Sequence, residues 1–159
     1  MRYSVAILAA VLAACSGSSS GAAPRAAPVT SSAQAIGDFM RAAADSNLAR
    51  MGQLWGTSKG PAAETNTPRD FEKRLILIQS YLHADSSKIV SDLSIPGENN
   101  KRQVEVRIYR DDPPSREPRR RGCMRQIPVI MIRLNDRGWI VNNVDLAAAG
   151  NPARPCEPS

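Results

Sequence analysis

Histidine occurs once, cysteine three times, and aromatic side chains make up only 4% of the chain. Each scarcity removes a class of chemistry. A single histidine, His83, with two distant cysteines beyond the N-terminal one, lacks the clustered ligand spacing of a zinc site. Neither a metal nor another cofactor is expected from these residues. No uncharged apolar run reaches the roughly 20 residues that a membrane-spanning helix needs. The run at the start, Val5 to Ala14, has ten. No internal repeat is visible.

What the chain has in excess is arginine, and the excess is local. The net charge is +6, yet residues 101–125 alone hold nine basic groups against four acids. From residue 15 onward, the rest of the chain balances at eleven of each sign. The stretch from Asp111 to Gly122, with Pro113, Pro114 and Pro118, joins two predicted strands, and long connections in compact domains tend to be functional or disordered. Arg116, Arg119, Arg120 and Arg121 then read as an anion-facing finger for phospholipid headgroups or an acidic protein partner. The bland alternative is a solvated loop, partly neutralised by Asp111, Asp112 and Glu117. Nucleic acid is not expected as a partner, because this loop lacks the aromatics that stack on bases.

The N-terminus combines Arg2, the short apolar run and small residues leading into one cysteine, which is the pattern of a secretory signal. Its ending, Leu12-Ala13-Ala14-Cys15, resembles the lipobox of bacterial lipoproteins. That resemblance implies export, lipidation of Cys15, and cleavage that removes residues 1–14. Ser16, in place of an aspartate after the cysteine, implies by the same resemblance an outer membrane, facing the periplasm, where the cell has one. Residues 15–31, rich in Ser, Gly, Ala and Pro, have little to bury and read as a tether. With Cys15 lipidated, Cys123 and Cys156 remain as a pair in an oxidising compartment, so a disulfide between them is expected. It would pin the Pro-rich tail, residues 148–159.

Between tether and tail lies one domain, residues 32–147, whose periodicity changes once. Ser31-Ser32-Ala33-Gln34 fits a capping box, followed by Ile36, Phe39, Met40 and Ala43 at helical spacing. Asp45-Ser46-Asn47 interrupts, and Leu48, Met51, Leu54 and Trp55 make a second, shorter helix with Asn47 as its cap. Gly56 to Asn66 reads as a loop. Thr67-Pro68-Arg69-Asp70 predicts a third helix start, with Thr67 as cap and Pro68 at the first position. Phe71, Leu75, Ile78 and Leu82 form its stripe to about His83, and Ile76 and Leu77 widen it enough to predict cover on more than one side. After Asp85 the period becomes two. Strands are predicted over Ile89 to Ile95, Val104 to Tyr109, Met124 to Leu134 and Trp139 to Leu146, with turns at Pro96-Gly97 and Asn135-Gly138. Pro128 forbids a ladder donor and so predicts an edge or bulge at that point.

Helices first and antiparallel strands after is the order of an α+β domain. It resembles the nuclear-transport-factor-2-like (NTF2-like) superfamily, on Phe39 and Met40, the break at Asp45-Ser46-Asn47, and the closing hairpin from Asp136 through Leu146. The resemblance implies a cone: three N-terminal helices packed on a curved antiparallel sheet of about four strands. It also implies a possible pocket in the mouth of the cone, for which Tyr81, Tyr109 and Asp92 are the candidates, beside His83. The residues themselves favour plainer roles. His83 reads as a helix-end residue, Tyr81 and Tyr109 as core-edge residues, and Asp92, alternating with apolar neighbours, as solvent-facing. No pair has a diagnostic catalytic spacing. The expectation is a lipid-anchored envelope protein, non-enzymatic, acting as a binding or assembly module. The alternatives are an apolar-ligand or isomerase-like pocket protein and a structural envelope component. A cone filled by Trp55, Phe71, Leu75, Ile108, Ile130 and Val141 would leave no room for a pocket.

Overall fold

The computed structural model describes residues 31–110, 122–154 and 156. Ser31 caps the first helix, α1 (Ser32–Ala44), its hydroxyl accepting the Gln34 N–H at 3.1 Å. The helix buries Ala35, Ile36, Phe39 and Met40 on one face and stops at Asp45. Asn47 then caps α2 (Leu48–Leu54) by accepting the Arg50 N–H at 2.9 Å. Both caps fall where the polar side chains predict them.

The stretch predicted as plain loop carries more order. A two-residue hairpin pairs β1 (Gly56–Thr57) with β2 (Gly60–Pro61), and a single turn, α3 (Ala62–Thr65), follows. Gly56 permits it, since a Cβ there would sit 2.2 Å from the Gly60 carbonyl oxygen. The next helix starts later than predicted. Thr67 donates its hydroxyl to the Thr65 carbonyl (3.1 Å) instead of capping, and α4 runs Phe71–Leu82 with Asp70 at its N-cap position. The Asp70 carboxylate holds Arg74 at 3.0 Å, and that pairing draws its pKa down. Leu75, Ile78 and Leu82 are buried, but Ile76 and Leu77 are 53% and 50% exposed, so α4 is covered on one side only.

Four antiparallel strands follow: β3 (Ser86–Ile95), β4 (Glu98–Arg110), β5 (Cys123–Leu134) and β6 (Gly138–Val144), in that spatial order. The chain is therefore an α+β protein. Pro128 lies inside β5, yet its position obeys the predicted constraint. The last β6 partner is Val144, opposite Val129, and the Pro128 carbonyl accepts the Asp145 N–H (3.0 Å) just beyond it. The N–H that proline lacks would point the same way, past the end of β6. The final strand is shorter than predicted because Asp145 turns and caps α5 (Leu146–Ala149), accepting the Ala148 N–H at 3.2 Å.

The helix-facing side of the sheet is Val104, Val106 and Ile108 on β4, Ile127, Val129 and Met131 on β5, and Val141 on β6, all essentially buried. They pack with Phe39, Met51, Leu54, Trp55 and Leu75 into one core. Phe71 is only partly buried against it. Ile130 is not part of it: opposite Gln103 and Asn143, it belongs to the other face of the sheet. A small second cluster, Ile132, Leu134 and Ile140, lies on that other face.

Gly37 has neither a packing nor a conformational need for glycine within the described chain. A Cβ on Gly37, within α1, would meet nothing within 4 Å, whereas one on Gly56 would strike backbone. Gly37→Ala should therefore stabilise the fold by about 0.5–1 kcal/mol through helix propensity alone, and Gly56→Ala should destabilise it. Urea unfolding of the two variants beside the parent checks both signs.

Candidate functional site

The residues nominated for a pocket do not converge. Tyr109 belongs to the outer face of β4, 41% exposed and opposite Met124. Tyr81 is half-buried on α4 and packs against the core edge. His83 is the exposed residue that ends α4, as its position predicts.

Asp92 is where the alternation misleads. Ile89 pairs with Val106, but Ser91 pairs with Glu105, so β3 bulges at Val90 and its parity inverts. Asp92 then comes opposite the buried Val104, on the helix side, while Leu93 turns outward. There its carboxylate accepts a short hydrogen bond from the Ser32 hydroxyl and another from Arg102 Nε. Arg102 also donates to the Asp92 carbonyl (3.0 Å) and the Ser94 hydroxyl (3.1 Å). The constellation of serine, aspartate and arginine lacks an imidazole, because His83 caps a different element. It clasps the start of α1 to β3.

The strongest polar construction is one the pocket reading overlooks. Arg110 ends β4 on the helix side and is 6% exposed. Its Nε donates to the His83 carbonyl and its Nη1 to the Ala149 carbonyl, each at 2.9 Å, and its Nη2 makes a short bond to the Tyr81 carbonyl. One guanidinium thus satisfies the ends of α4 and α5, a placement the α4 dipole favours. Burial pulls the Arg110 pKa below its ordinary value, and the nearby Arg125 charge adds to the effect. Beside it, the register sets Cys123 opposite Arg110, and Cys123 is disulfide-bonded to Cys156, with Cα atoms 5.2 Å apart. The expected bridge is present. Gly150, at φ +76°, lets the chain pass Arg125, whose Nε would lie 3.3 Å from a Cβ there. A sequence signal for Arg110 exists. Extending the period of Val104, Val106 and Ile108 by one step puts an arginine on the core face.

No family model, curated protein or solved structure matches this chain.

Cys15 and the loop arginines Arg116, Arg119, Arg120 and Arg121 lie outside the described residues. What the described residues contribute is the base on which that arginine-rich stretch is mounted: Arg110 on one side, Cys123 with its bridge on the other. They also form several open grooves, and the two with the most room reach core side chains at the edge of the domain. One, of about 450 Å³, lies between α1 and β3. The other, of about 510 Å³, lies between α2 and α4, with Leu48, Gly52, Phe71 and Ile76 among its walls. Among the described residues no cluster of three metal-ligating side chains occurs. The buried indole N–H of Trp55 finds no hydrogen-bond partner there.

Arg110→Ala should cost about 2–4 kcal/mol, because three carbonyls lose a charged donor at once. Arg110→Lys should recover only part of this, since an ammonium cannot reproduce the planar fork. Cys156→Ser should lower stability by about 2–4 kcal/mol at most, from the entropy of the opened loop. Denaturant titrations of the three variants, run without reductant, give these numbers directly. An Arg110→Ala variant as stable as the parent would show that these hydrogen bonds do not hold the helix ends.

Proposed function

We propose that this is a lipid-anchored cell-envelope protein whose domain, of NTF2-like architecture, serves as a non-enzymatic binding or assembly module. Its partners on this reading are the membrane, through a lipid on Cys15, and an acidic surface met by Arg116, Arg119, Arg120 and Arg121. The observation that carries it is the mounting of the arginine-rich stretch. Arg110 and the Cys123–Cys156 bridge secure both of its ends to the domain. Two strong constraints at the base of one loop are consistent with a stretch that must be presented in a defined direction. The middle of the space between helices and sheet is filled by Phe39, Trp55, Leu75, Ile108 and Val141, and the groove between α1 and β3 opens only at its edge. A second reading, binding of a small apolar ligand, draws on the groove between α2 and α4, which lies at the periphery instead.

Two experiments test the reading. Cys15→Ser should block acylation and leave the precursor unprocessed, whereas the parent should stay with membranes through a high-salt wash. Recovery of the parent as a soluble, lipid-free protein after that wash would refute the anchor. In the second, a chain starting at Ser16 is offered anionic vesicles at low salt. Changing Arg119, Arg120 and Arg121 to Ser should weaken binding by roughly 2–3 kcal/mol, at about 1 kcal/mol per arginine, and leave the melting temperature nearly unchanged. Binding should fade as salt rises past the point where the Debye length is about 10 Å, near 0.1 M. A parent chain that ignores anionic vesicles would leave an acidic protein as the finger's remaining target.

A further inference from the structure

We infer that the edge of β3 away from β4 binds a short, extended, uncharged peptide segment of a partner protein, laid between β3 and α1. Among the described residues β3 pairs only with β4, so one row of its backbone N–H and C=O groups faces away from the sheet. Ser86, Ser87 and Lys88 on that edge are exposed. Beside the edge runs the groove of about 450 Å³, with Met40, Leu82, Ile89 and Val106 among its apolar walls. Its rim carries one charge of each sign, Arg41 and Asp85, which favours a neutral occupant.

Gly37 supplies the independent observation. It lines this groove on the α1 side, and glycine is a poor choice within a helix. Nothing in the described chain approaches the space a Cβ would fill. Internal packing therefore does not require glycine, while a main chain lying close against α1 would. Strand addition has that geometry, with ladder hydrogen bonds on one side and pockets for alternate side chains. The bulge at Val90 limits the regular edge to Ser86–Ile89, about 13 Å at 3.3 Å per residue. That length suits four or five residues of one peptide and is short for the interface of a stable homodimer. The site is separate from the anchor and from the arginine-rich stretch, so its failure would leave those readings standing.

The test uses the mature full-length chain, isotopically labelled, in detergent micelles. The probe is the blocked pentapeptide Thr-Val-Thr-Val-Thr, with Thr-Pro-Thr-Pro-Thr as a control that lacks ladder donors. The valine peptide should shift and protect outward-facing amides within Ser86–Ile89 and perturb Gly37, and the proline peptide should not. Gly37→Leu should weaken binding at least tenfold without lowering the melting temperature. Gly37→Ala should weaken it less while raising that temperature. No perturbation along Ser86–Ile89 would overturn the proposal, as would a Gly37→Leu variant that folds and binds like the parent. Concentration-dependent dimerisation of the parent, lost in Gly37→Leu, would also overturn it, by making a second copy the occupant.

Discussion

A cation that ends two helices holds the C-terminal half of this molecule together. Arg110 sits at the last position of β4, where the apolar run of Val104, Val106 and Ile108 meets the ends of α4 and α5. Helix ends leave carbonyls without partners, and a buried carbonyl without one is costly. A lysine would satisfy a single direction, and an apolar residue none. A planar fork reaches three carbonyls on two elements, so one side chain joins the ends of α4 and α5 beside the core packing of Ala149. The disulfide then fastens the tail to the residue opposite Arg110. The covalent and electrostatic constraints act at one place.

Asp92 is the counterpart at the other end of the helix-side face. Arg102 shares the parity of Arg110 on β4, so that face reads charged, apolar, apolar, apolar, charged. Each arginine finds its partners on a different element: carbonyls of α4 and α5 for Arg110, the Asp92 carboxylate and Ser94 for Arg102. The Ser32 hydroxyl joins the second cluster and fixes the start of α1 against β3. Apolar burial holds the middle of the sheet, and directed hydrogen bonds hold its two ends.

Much of this was legible in the residues, and the failures have identifiable physical causes. The helix caps at Ser31 and Asn47, the break between α1 and α2, and the change of period before β3 depend on local chemistry and appear where expected. The position of Asp92 does not depend on local chemistry. A bulge inverts every later side chain of a strand, and nothing in Ile89-Val90-Ser91 marks it, because the offset arises from pairing with β4. The start of α4 moved because Thr67 spends its hydroxyl on Thr65, a competition within the preceding loop that a cap motif does not reveal. Ile130 looked like core by composition alone, although its register with Gln103 sets it on the other face. Arg110 was the opposite case. Its charge argued for solvent, and its parity argued for the core.

These placements bear on how the proposed anchor and the arginine-rich stretch can act together. Asp92, beside the start of α1, is opposite Val104, and the arginine-rich stretch departs after Arg110. Six residues of strand separate those points, about 20 Å at 3.3 Å per residue. Between a lipid on Cys15 and Ser31 run sixteen residues, which span at most roughly 55 Å when fully extended. That span exceeds the separation along the strand. On the proposed reading, the attachment is long enough for the domain to turn the end that carries Arg110 and Cys123 toward the headgroups. The edge of β3 that faces α1 spans this interval, on the flank of the sheet and not at either end, so neither tilt requires the membrane to cover it. On the proposed reading, anchor, arginines and strand edge do not exclude one another.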